Sequence, residues 1–298
     1  MVDRNSSPPS HLVFTDLDGT LLDHYTYGWE EALPALDRCR KNGVPVILVS
    51  SKTGAEMDVI RRELNLSAPF VSENGGAVFF SREIFENAPA GSFESKILAP
   101  EGSEGFWQWS FGTPYTHLIR ALSHMRKSLR LSLKGFSEMD VTEISRLTGL
   151  GEEAARLASC REYDEPFVFE GEAPDDLGPL HEYAAQRGMM IVSGGRFHHL
   201  LGNNHKGKAM GRIVSWYNSQ YHLEGQSDHI PTIALGDSPN DFSMLMRADF
   251  PVLILSKHHF PDLEKKIPNL KTTKYPGPKG WNEAILNILS LSKETPNA

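Results

Sequence analysis

The chain has 298 residues, 40% hydrophobic and 23% charged, a composition typical of a folded globular protein of about two domains. Its 30 Lys and Arg against 38 Asp and Glu give a net charge of −8, which argues against nucleic-acid and anionic-membrane partners. The cysteines, Cys39 and Cys160, fit neither a disulfide framework nor a metal-ligand spacing. Because no stretch has the apolar length of a signal peptide or a membrane span, we expect a cytoplasmic protein. The sequence identifies no protein partner.

The first part of the chain alternates short apolar strands with helices. The pattern predicts strands at His11–Thr15, Pro45–Val49 and Pro69–Val71, and helices at about Trp29–Lys41 and Thr53–Leu64. A capping box, Thr53 with Glu56, opens the second helix. Strands and helices that alternate at this spacing predict βαβ units and a parallel sheet.

An insertion interrupts this pattern. Between about Glu86 and Pro114 glycine, proline, serine and glutamate dominate and periodicity fades, which indicates a boundary region. Helices then alternate with strands at Pro166–Phe169 and Met189–Val192. The parallel pattern returns with a helix at Lys206–Tyr217, strands at Thr232–Leu235 and Val252–Leu255, and a helix that opens at Ser238–Pro239. We therefore expect an α/β core formed by residues 1–86 and 203–298, with an inserted α+β domain at 87–202.

Polar side chains follow three of the buried strands. Asp16 and Asp18 come after the first strand, Ser50 after the second and Asp237 after the strand at Thr232–Leu235. In open parallel sheets the ligand binds at the carboxyl ends of the strands. The sequence therefore predicts a polar site at this edge, to which Lys206 would add a positive charge.

The residue types at this edge indicate phosphoryl transfer. Asp16, Asp18, Asp237 and Asp241 would bring up to four carboxylates together, and each pair ~4 Å apart costs about 4 kcal/mol at an effective dielectric of ~20. Such a site recruits a hard cation, for which Mg²⁺ is suited. A carboxylate can attack phosphorus when Mg²⁺ and Lys206 supply positive charge. A serine hydroxyl such as that of Ser50 can orient a phosphoryl oxygen.

These segments resemble the haloacid dehalogenase superfamily of phosphatases. The resemblance is carried by Asp16–Thr20 (Asp-Leu-Asp-Gly-Thr), Ser50, Lys206-Gly207 and Gly236–Asp241 (Gly-Asp-Ser-Pro-Asn-Asp). It implies a Rossmann-like parallel-sheet core with an inserted α+β cap domain of the C2 type. It also implies that Asp16 is the nucleophile and Asp18 the general acid and base. Asp16, the backbone carbonyl of Asp18, and Asp237 would then hold Mg²⁺, with Asp241 as a further candidate ligand.

Within that superfamily the chain is similar to the mannosyl-3-phosphoglycerate phosphatases. The similar segments are Val49–Glu56, Ser72–Gly76, Tyr163–Phe167, Gly194–His198, Gly236–Asp241 and Gly277–Trp281. The resemblance implies hydrolysis of a small phosphorylated glycoside, mannosyl-3-phosphoglycerate, with the glucosyl analogue as a second candidate substrate. One departure is Ser50-Ser51-Lys52, where many relatives carry Thr-Gly-Arg. The candidate phosphate-binding residues are Ser50, Lys206 and Asn240, and the candidate substrate-binding residues are Lys52, Asn74, Arg196 and His198.

Arg196 and His198 are substrate candidates in the segment that follows the predicted strand Met189–Val192. Alternation puts both on one face, with Phe197 and His199 on the other. A planar guanidinium binds a carboxylate in a bidentate manner, and the proposed substrate carries a glycerate carboxylate near its phosphate.

Several alternatives stay open. Asp241 lies three residues after the predicted N-cap Ser238, where it would stabilise a helix without any metal. Lys208 competes with Lys206, and Phe106–Trp109 is predicted either to be buried or to stack on a sugar. The histidines have no zinc-like spacing.

Competing functions are a broad sugar phosphatase and a phosphomannomutase-like phosphotransferase. A silent sugar-phosphate-binding protein is disfavoured, because Asp16 and Asp18 are both retained.

Overall fold

A computed structural model of the chain describes residues 7–97, 105–194, 197–223, 229–267 and 269–291. The chain divides into two compact units, the first formed by Met1–Ser50, Leu66–Phe70 and Lys206–Ala298, and the second by Ser51–Asn65 and Val71–His205. Residues 51–65, which include the predicted helix at Thr53–Leu64, and residues 71–86 precede the expected insertion but fall in the second unit. The expected bounds of 1–86, 87–202 and 203–298 stay a prediction.

The strands are short and spread over the whole described chain. In chain order they are β1 (Leu12–Thr15), β2 (Val46–Leu48), β3 (Phe70–Ser72), β4 (Ala77–Ser81), β5 (Phe93–Ser95), β6 (Phe106–Ser110), β7 (Leu133–Gly135), β8 (Asp164–Phe169), β9 (Met190–Gly194), β10 (Phe197–Leu201), β11 (Thr232–Gly236), β12 (Phe250–Leu253) and β13 (Lys271–Thr272).

The helices lie between them. In chain order they are α1 (Leu33–Lys41), α2 (Gly54–Glu63), α3 (Tyr115–Leu129), α4 (Val141–Thr148), α5 (Glu152–Ala158), α6 (Gly178–Ala185), α7 (Lys206–Gln220), α8 (Phe242–Leu245), α9 (Pro261–Lys266) and α10 (Gly277–Leu291). The predicted capping box of α2 is confirmed: the Thr53 hydroxyl accepts the Glu56 N–H, and the Glu56 carboxylate accepts the Thr53 N–H.

A five-stranded sheet in the order β13-β12-β11-β1-β2 forms the centre of the first unit, and its neighbouring strands are all parallel. Strands β1 and β11 are buried along their whole length, which is why their sequences are continuous apolar runs. Thr15 pairs with Leu48 on one side and with Leu235 on the other. The carboxyl ends of β1, β2 and β11 therefore lie at one edge of the sheet. The predicted α/β core with a parallel sheet is confirmed.

The second unit is α+β. Its sheet β7-β8-β10-β9 is antiparallel, and a core of apolar side chains from this sheet and from α3 and α6 includes Leu118, Leu122, Phe167, Leu180 and Leu200. A separate sheet has the order β3-β4-β6-β5, in which β4, β6 and β5 are antiparallel. The predicted α+β cap is thus confirmed as a fold class.

Some elements of the structure differ from those that the sequence predicted. The stretch 86–114 is not only a boundary, since it contains β5 and β6; β5 is only three residues long and largely exposed, so it shows no apolar alternation. Strand β3 joins the sheet of β4 and not the parallel sheet. Strands β4, β7, β10 and β13 were not expected. Phe106 and Trp109 are buried, and the Trp109 indole donates to the Ala90 carbonyl, so this stretch packs within its unit.

None of the helices in the described ranges is long and apolar enough to cross a membrane.

Helix α10 carries a hydrogen bond to the end of β1. Trp281 is fully buried, and its indole Nε1 donates to Thr15 Oγ1 at 3.0 Å. The Thr15 hydroxyl in turn donates to the Asp16 carbonyl at 2.7 Å. Trp281 therefore supports the residue that precedes Asp16.

We expect Trp281→Phe to lower the free energy of unfolding by about 1–3 kcal/mol, because it removes a buried hydrogen-bond donor and leaves a gap beside Thr15. Denaturant unfolding of the two proteins measures the loss. The matched control is Trp216→Phe on α7, where the ring is only partly buried and a change within about 0.5 kcal/mol is expected. Equal stability of the two variants would contradict a supporting role for Trp281.

Candidate active site

The carboxyl ends of β1 and β11 bring Asp16 and Asp237 to one place in the first unit. The Asp16 N–H donates to the Leu235 carbonyl at 3.0 Å, which continues the ladder between the two strands. The turn after Asp16 requires glycine, because Gly19 has φ +77° and a Cβ there would lie 2.7 Å from Asp237 Oδ2. The sequence Asp-Leu-Asp-Gly-Thr thus folds so that the turn passes close against a second carboxylate.

Three carboxylates form a cluster at this edge. Asp16, Asp237 and Asp241 each place an oxygen within 4.8 Å of the others'. Asp241 is fully buried, and its Oδ2 accepts the N–H groups of Asp237 and Ser238, both at 3.1 Å. The helix-capping contact predicted for Asp241 is therefore present, and the same side chain also faces the cluster. Asp18 is partly exposed.

Lys206 joins two of these carboxylates. It is fully buried as the first residue of α7, and its Nζ lies 2.6 Å from Asp16 Oδ1 and 2.7 Å from Asp241 Oδ1. Lys208, the alternative left open by the sequence, is exposed. The structure therefore brings Lys206 to the carboxylates.

Burial and charge shift the pKa values of this group. Burial raises the pKa of Asp16, against the opposite effect of Lys206, and burial together with Asp241 raises the pKa of Asp237 to about 6. Burial alone would lower the pKa of Lys206, but Asp16 and Asp241 raise it above its ordinary value. When ionised, the three carboxylates therefore carry more negative charge than one ammonium group balances.

The donor set suits Mg²⁺. Hard divalent cations take oxygen ligands, and Mg²⁺ is usually bound by one or a few carboxylates with water completing its shell. Asp16 and Asp237 of this cluster have raised pKa values, which a bound cation would reverse. Among the described residues this acidic cluster, and no group of histidines, has metal-ligand geometry.

The candidate phosphate-binding residues also lie in the first unit. Ser50 is buried just beyond the end of β2, the neighbour of β1 in the sheet. Asn240 follows Ser238 in the turn before α8, and its Oδ1 accepts the Ser238 hydroxyl at 2.6 Å. Both residues therefore belong to segments that follow strands of the parallel sheet.

The candidate substrate-binding residues lie in the second unit. The Lys52 carbonyl accepts the Glu73 N–H at 3.0 Å, and Asn74 is buried with φ +56°. His198 stacks on Phe167 with ring centroids 5.5 Å apart. Arg196 lies outside the described residues, so its predicted role stays a prediction.

The structure also places buried charged groups that the sequence did not single out. The Glu73 carboxylate accepts the N–H groups of Glu162 and Tyr163, the latter at 2.7 Å, and burial raises its pKa to about 8 although Arg161 acts in the opposite direction. Asp164 is fully buried and contacts His199. The sequence signals were the segments Ser72–Gly76 and Tyr163–Phe167, which resembled a family but gave no pairing.

Comparison with known proteins agrees with this geometry. A family model described as haloacid dehalogenase-like hydrolase matches residues 13–93. A glucosyl-3-phosphoglycerate/mannosyl-3-phosphoglycerate phosphatase of Methanococcoides burtonii is 38% identical over 279 residues, covering 94% of this chain and 97% of the relative. One of the same name from Persephonella marina is 38% identical over 285 residues, with 94% and 97% covered.

The chain belongs to the haloacid dehalogenase-like hydrolase family. It is a phosphatase, as the full-length similarity to these phosphatases shows. Solved structures share the fold: Thermoplasma acidophilum 0175 has a TM-score of 0.61 at 18% identity, covering 95% of this chain and 98% of the other. A haloacid dehalogenase subclass IIB sugar phosphatase has a TM-score of 0.60 at 14% identity, with 93% and 98% covered.

The pKa of Asp237 gives a test of the acidic cluster of this phosphatase. Its ordinary pKa of 3.8 is raised to about 6 in the folded protein. The free energy of unfolding therefore falls as the pH rises from 3.8 through 6, because the ionised carboxylate is costly to bury. In EDTA we therefore expect Asp237→Asn to gain thermal stability relative to wild type across this range, and Mg²⁺ to stabilise only the wild type. Melting temperatures with EDTA or Mg²⁺ measure both effects. An equal Mg²⁺-dependent shift in the two proteins would contradict the proposed metal ligand.

Proposed function

We propose that this phosphatase hydrolyses mannosyl-3-phosphoglycerate, and also glucosyl-3-phosphoglycerate, to the glycosylglycerate and phosphate. The proposed reaction is Mg²⁺-dependent and forms an aspartyl-phosphate, an acyl phosphate, on Asp16. The substrate class is supported by the two full-length relatives, which are named for both compounds. The observation that carries the chemistry is the buried contact of 2.6 Å between Lys206 Nζ and Asp16 Oδ1.

The Lys206 contact makes Asp16 the best-placed nucleophile. The ammonium group holds Oδ1 and so leaves Oδ2 as the oxygen that attacks phosphorus. It also supplies positive charge beside the entering phosphate, which reduces the repulsion between two anions. As Oδ2 bonds to phosphorus, the ester P–O bond breaks.

Asp18 is the proposed partner in proton transfer. It donates a proton to the departing glycerate oxygen in the first step. In the second step it takes a proton from water, whose oxygen attacks phosphorus while the bond to Asp16 breaks. The partly exposed position of Asp18, two residues after Asp16, supports both roles, since the group must meet the leaving oxygen and then water.

Mg²⁺ would neutralise negative charge on the transferred phosphoryl group. Asp16, Asp237 and Asp241 would hold it, together with Asp18 through its backbone carbonyl. Ser50 and Asn240 would donate hydrogen bonds to phosphoryl oxygens. In the second unit Lys52, Asn74, Arg196 and His198 are proposed to contact the rest of the substrate, with Arg196 on the glycerate carboxylate.

Assays with purified enzyme test the substrate. We expect Mg²⁺-dependent phosphate release from both glycosyl-3-phosphoglycerates at a higher kcat/KM than from hexose phosphates. ³¹P NMR separates hydrolysis from transfer, because a mutase would return the phosphoryl group to a sugar. Faster turnover of hexose 6-phosphates, or hexose 6-phosphate formed from hexose 1-phosphate, would contradict the proposal.

Asp16→Asn tests the nucleophile. An amide cannot form the acyl phosphate, so kcat should fall below about 1% of wild type while the melting temperature stays similar. The matched control is Asp37→Asn on α1, an exposed carboxylate paired with Arg40, which should retain full activity. A deamidation check by mass spectrometry accompanies the assay. Substantial activity of the intact asparagine variant would remove Asp16 from the nucleophile role.

A further inference from the structure

The first turn of α7, which carries Lys206, packs very closely against the segment that carries Asp241. Gly207 follows Lys206, and a Cβ at Gly207 would overlap the carbonyl oxygen of Ser243 and lie 2.6 Å from its carbonyl carbon. Ser243 lies in α8, two residues after Asp241. Because atoms that are not bonded do not approach this closely, any residue with a Cβ at position 207 would push the two segments apart.

A hydrogen bond strengthens the same contact. The Gly207 N–H donates to Ser243 Oγ at 3.1 Å. The first N–H groups of a helix have no acceptor within the helix, and a hydroxyl that precedes the helix often accepts one of them. Here the hydroxyl comes from α8, so the bond ties the start of α7 to another helix of the first unit.

This contact determines the place of Lys206. The lysine is the residue before Gly207, its side chain is fully buried, and its Nζ lies 2.6 Å from Asp16 Oδ1 and 2.7 Å from Asp241 Oδ1. A side chain enclosed in a close-packed interior cannot freely adjust when its backbone moves. A shift of the first turn of α7 away from α8 would therefore pull the ammonium group from its two carboxylate partners.

We propose that Ser243 is a positioning residue for the phosphatase reaction. Its hydroxyl, together with the missing side chain at Gly207, holds the start of α7 against α8 and so keeps Lys206 Nζ between the two carboxylates. Neither residue has to touch the substrate for this role. The inference rests on the proposed function, because it requires Lys206 to act on Asp16, but it assigns a role to two residues that the proposed mechanism does not use.

Two identical substitutions in α7 test the close approach. Gly207→Ala adds a methyl group that meets the backbone of Ser243, whereas the methyl group of Gly211→Ala has only Arg247 Nη1 near it, at 3.5 Å. With p-nitrophenyl phosphate as substrate, we expect Gly207→Ala to lower kcat at least about tenfold, because the ammonium group is displaced. Gly211→Ala should stay within about twofold of wild type, since alanine suits a helix.

A crystal structure of Gly207→Ala gives a readout that does not depend on activity. We expect Lys206 Nζ to lie beyond hydrogen-bond distance from Asp16 or from Asp241. Unchanged distances at both carboxylates would contradict the proposed effect of the close approach.

Two substitutions of Ser243 test the hydroxyl. Ser243→Ala removes the acceptor of the Gly207 N–H, and we expect kcat to fall about threefold to tenfold. Ser243→Thr keeps a hydroxyl and should restore kcat to within about twofold of wild type. Melting temperatures show that each variant is folded. If Gly207→Ala does not fold, the two serine variants decide.

Lys206→Met separates the inference from the proposed function. A large loss of kcat in Lys206→Met with wild-type kcat in Ser243→Ala would overturn the inference alone. Equal losses in Ser243→Ala and Ser243→Thr would also overturn it, because the hydroxyl would then have no part in the effect. Wild-type kcat in Lys206→Met would overturn the proposed role of the lysine and the inference with it.

Discussion

The neutralisation of buried carboxylates by Lys206 is the constraint on which the active site depends. Asp16 and Asp241 lie on different strand–turn segments, and Lys206 joins them from the first turn of α7 at 2.6 Å and 2.7 Å. Without this ammonium group the cluster would hold three acidic side chains at the edge of an apolar sheet. In the proposed mechanism the contact also leaves one oxygen of Asp16 for attack. One interaction thus supports both the stability of the site and its proposed chemistry.

Arg161 has a comparable place in the second unit. It faces Glu56 and Asp164, and it also binds the Ser51 carbonyl. Each of these groups belongs to a different local element, so one guanidinium links the insertion to the start of α2. Arginine suits this position because its planar fork can serve several acceptors while it stays charged. The orientation of His199 through Asp164 follows from the same group of contacts.

The sequence predicted the parallel core because β1 and β11 are continuous apolar runs, which strands buried on both faces of such sheets require. Local chemistry also predicted the capping contacts of Asp241, since spacing within one turn decides them. The sequence favoured Lys206 but left Lys208 as an alternative, because the burial of each lysine depends on how the helix packs. The pairing of His199 with Asp164 joins residues 35 apart on antiparallel strands, and no local pattern records it. Short exposed strands such as β5 likewise lack a periodic signal.

A crystal structure of the enzyme grown with Mn²⁺ and beryllium fluoride tests the central claim most directly, because beryllium trifluoride imitates a phosphoryl group on a carboxylate. Our account predicts density for the fluoride complex on Asp16 Oδ2, with Lys206 still on Oδ1. It also predicts an anomalous signal from one Mn²⁺ ion between Asp16 and Asp237. A fluoride complex on another side chain, or a metal ion bound away from these carboxylates, would contradict the account.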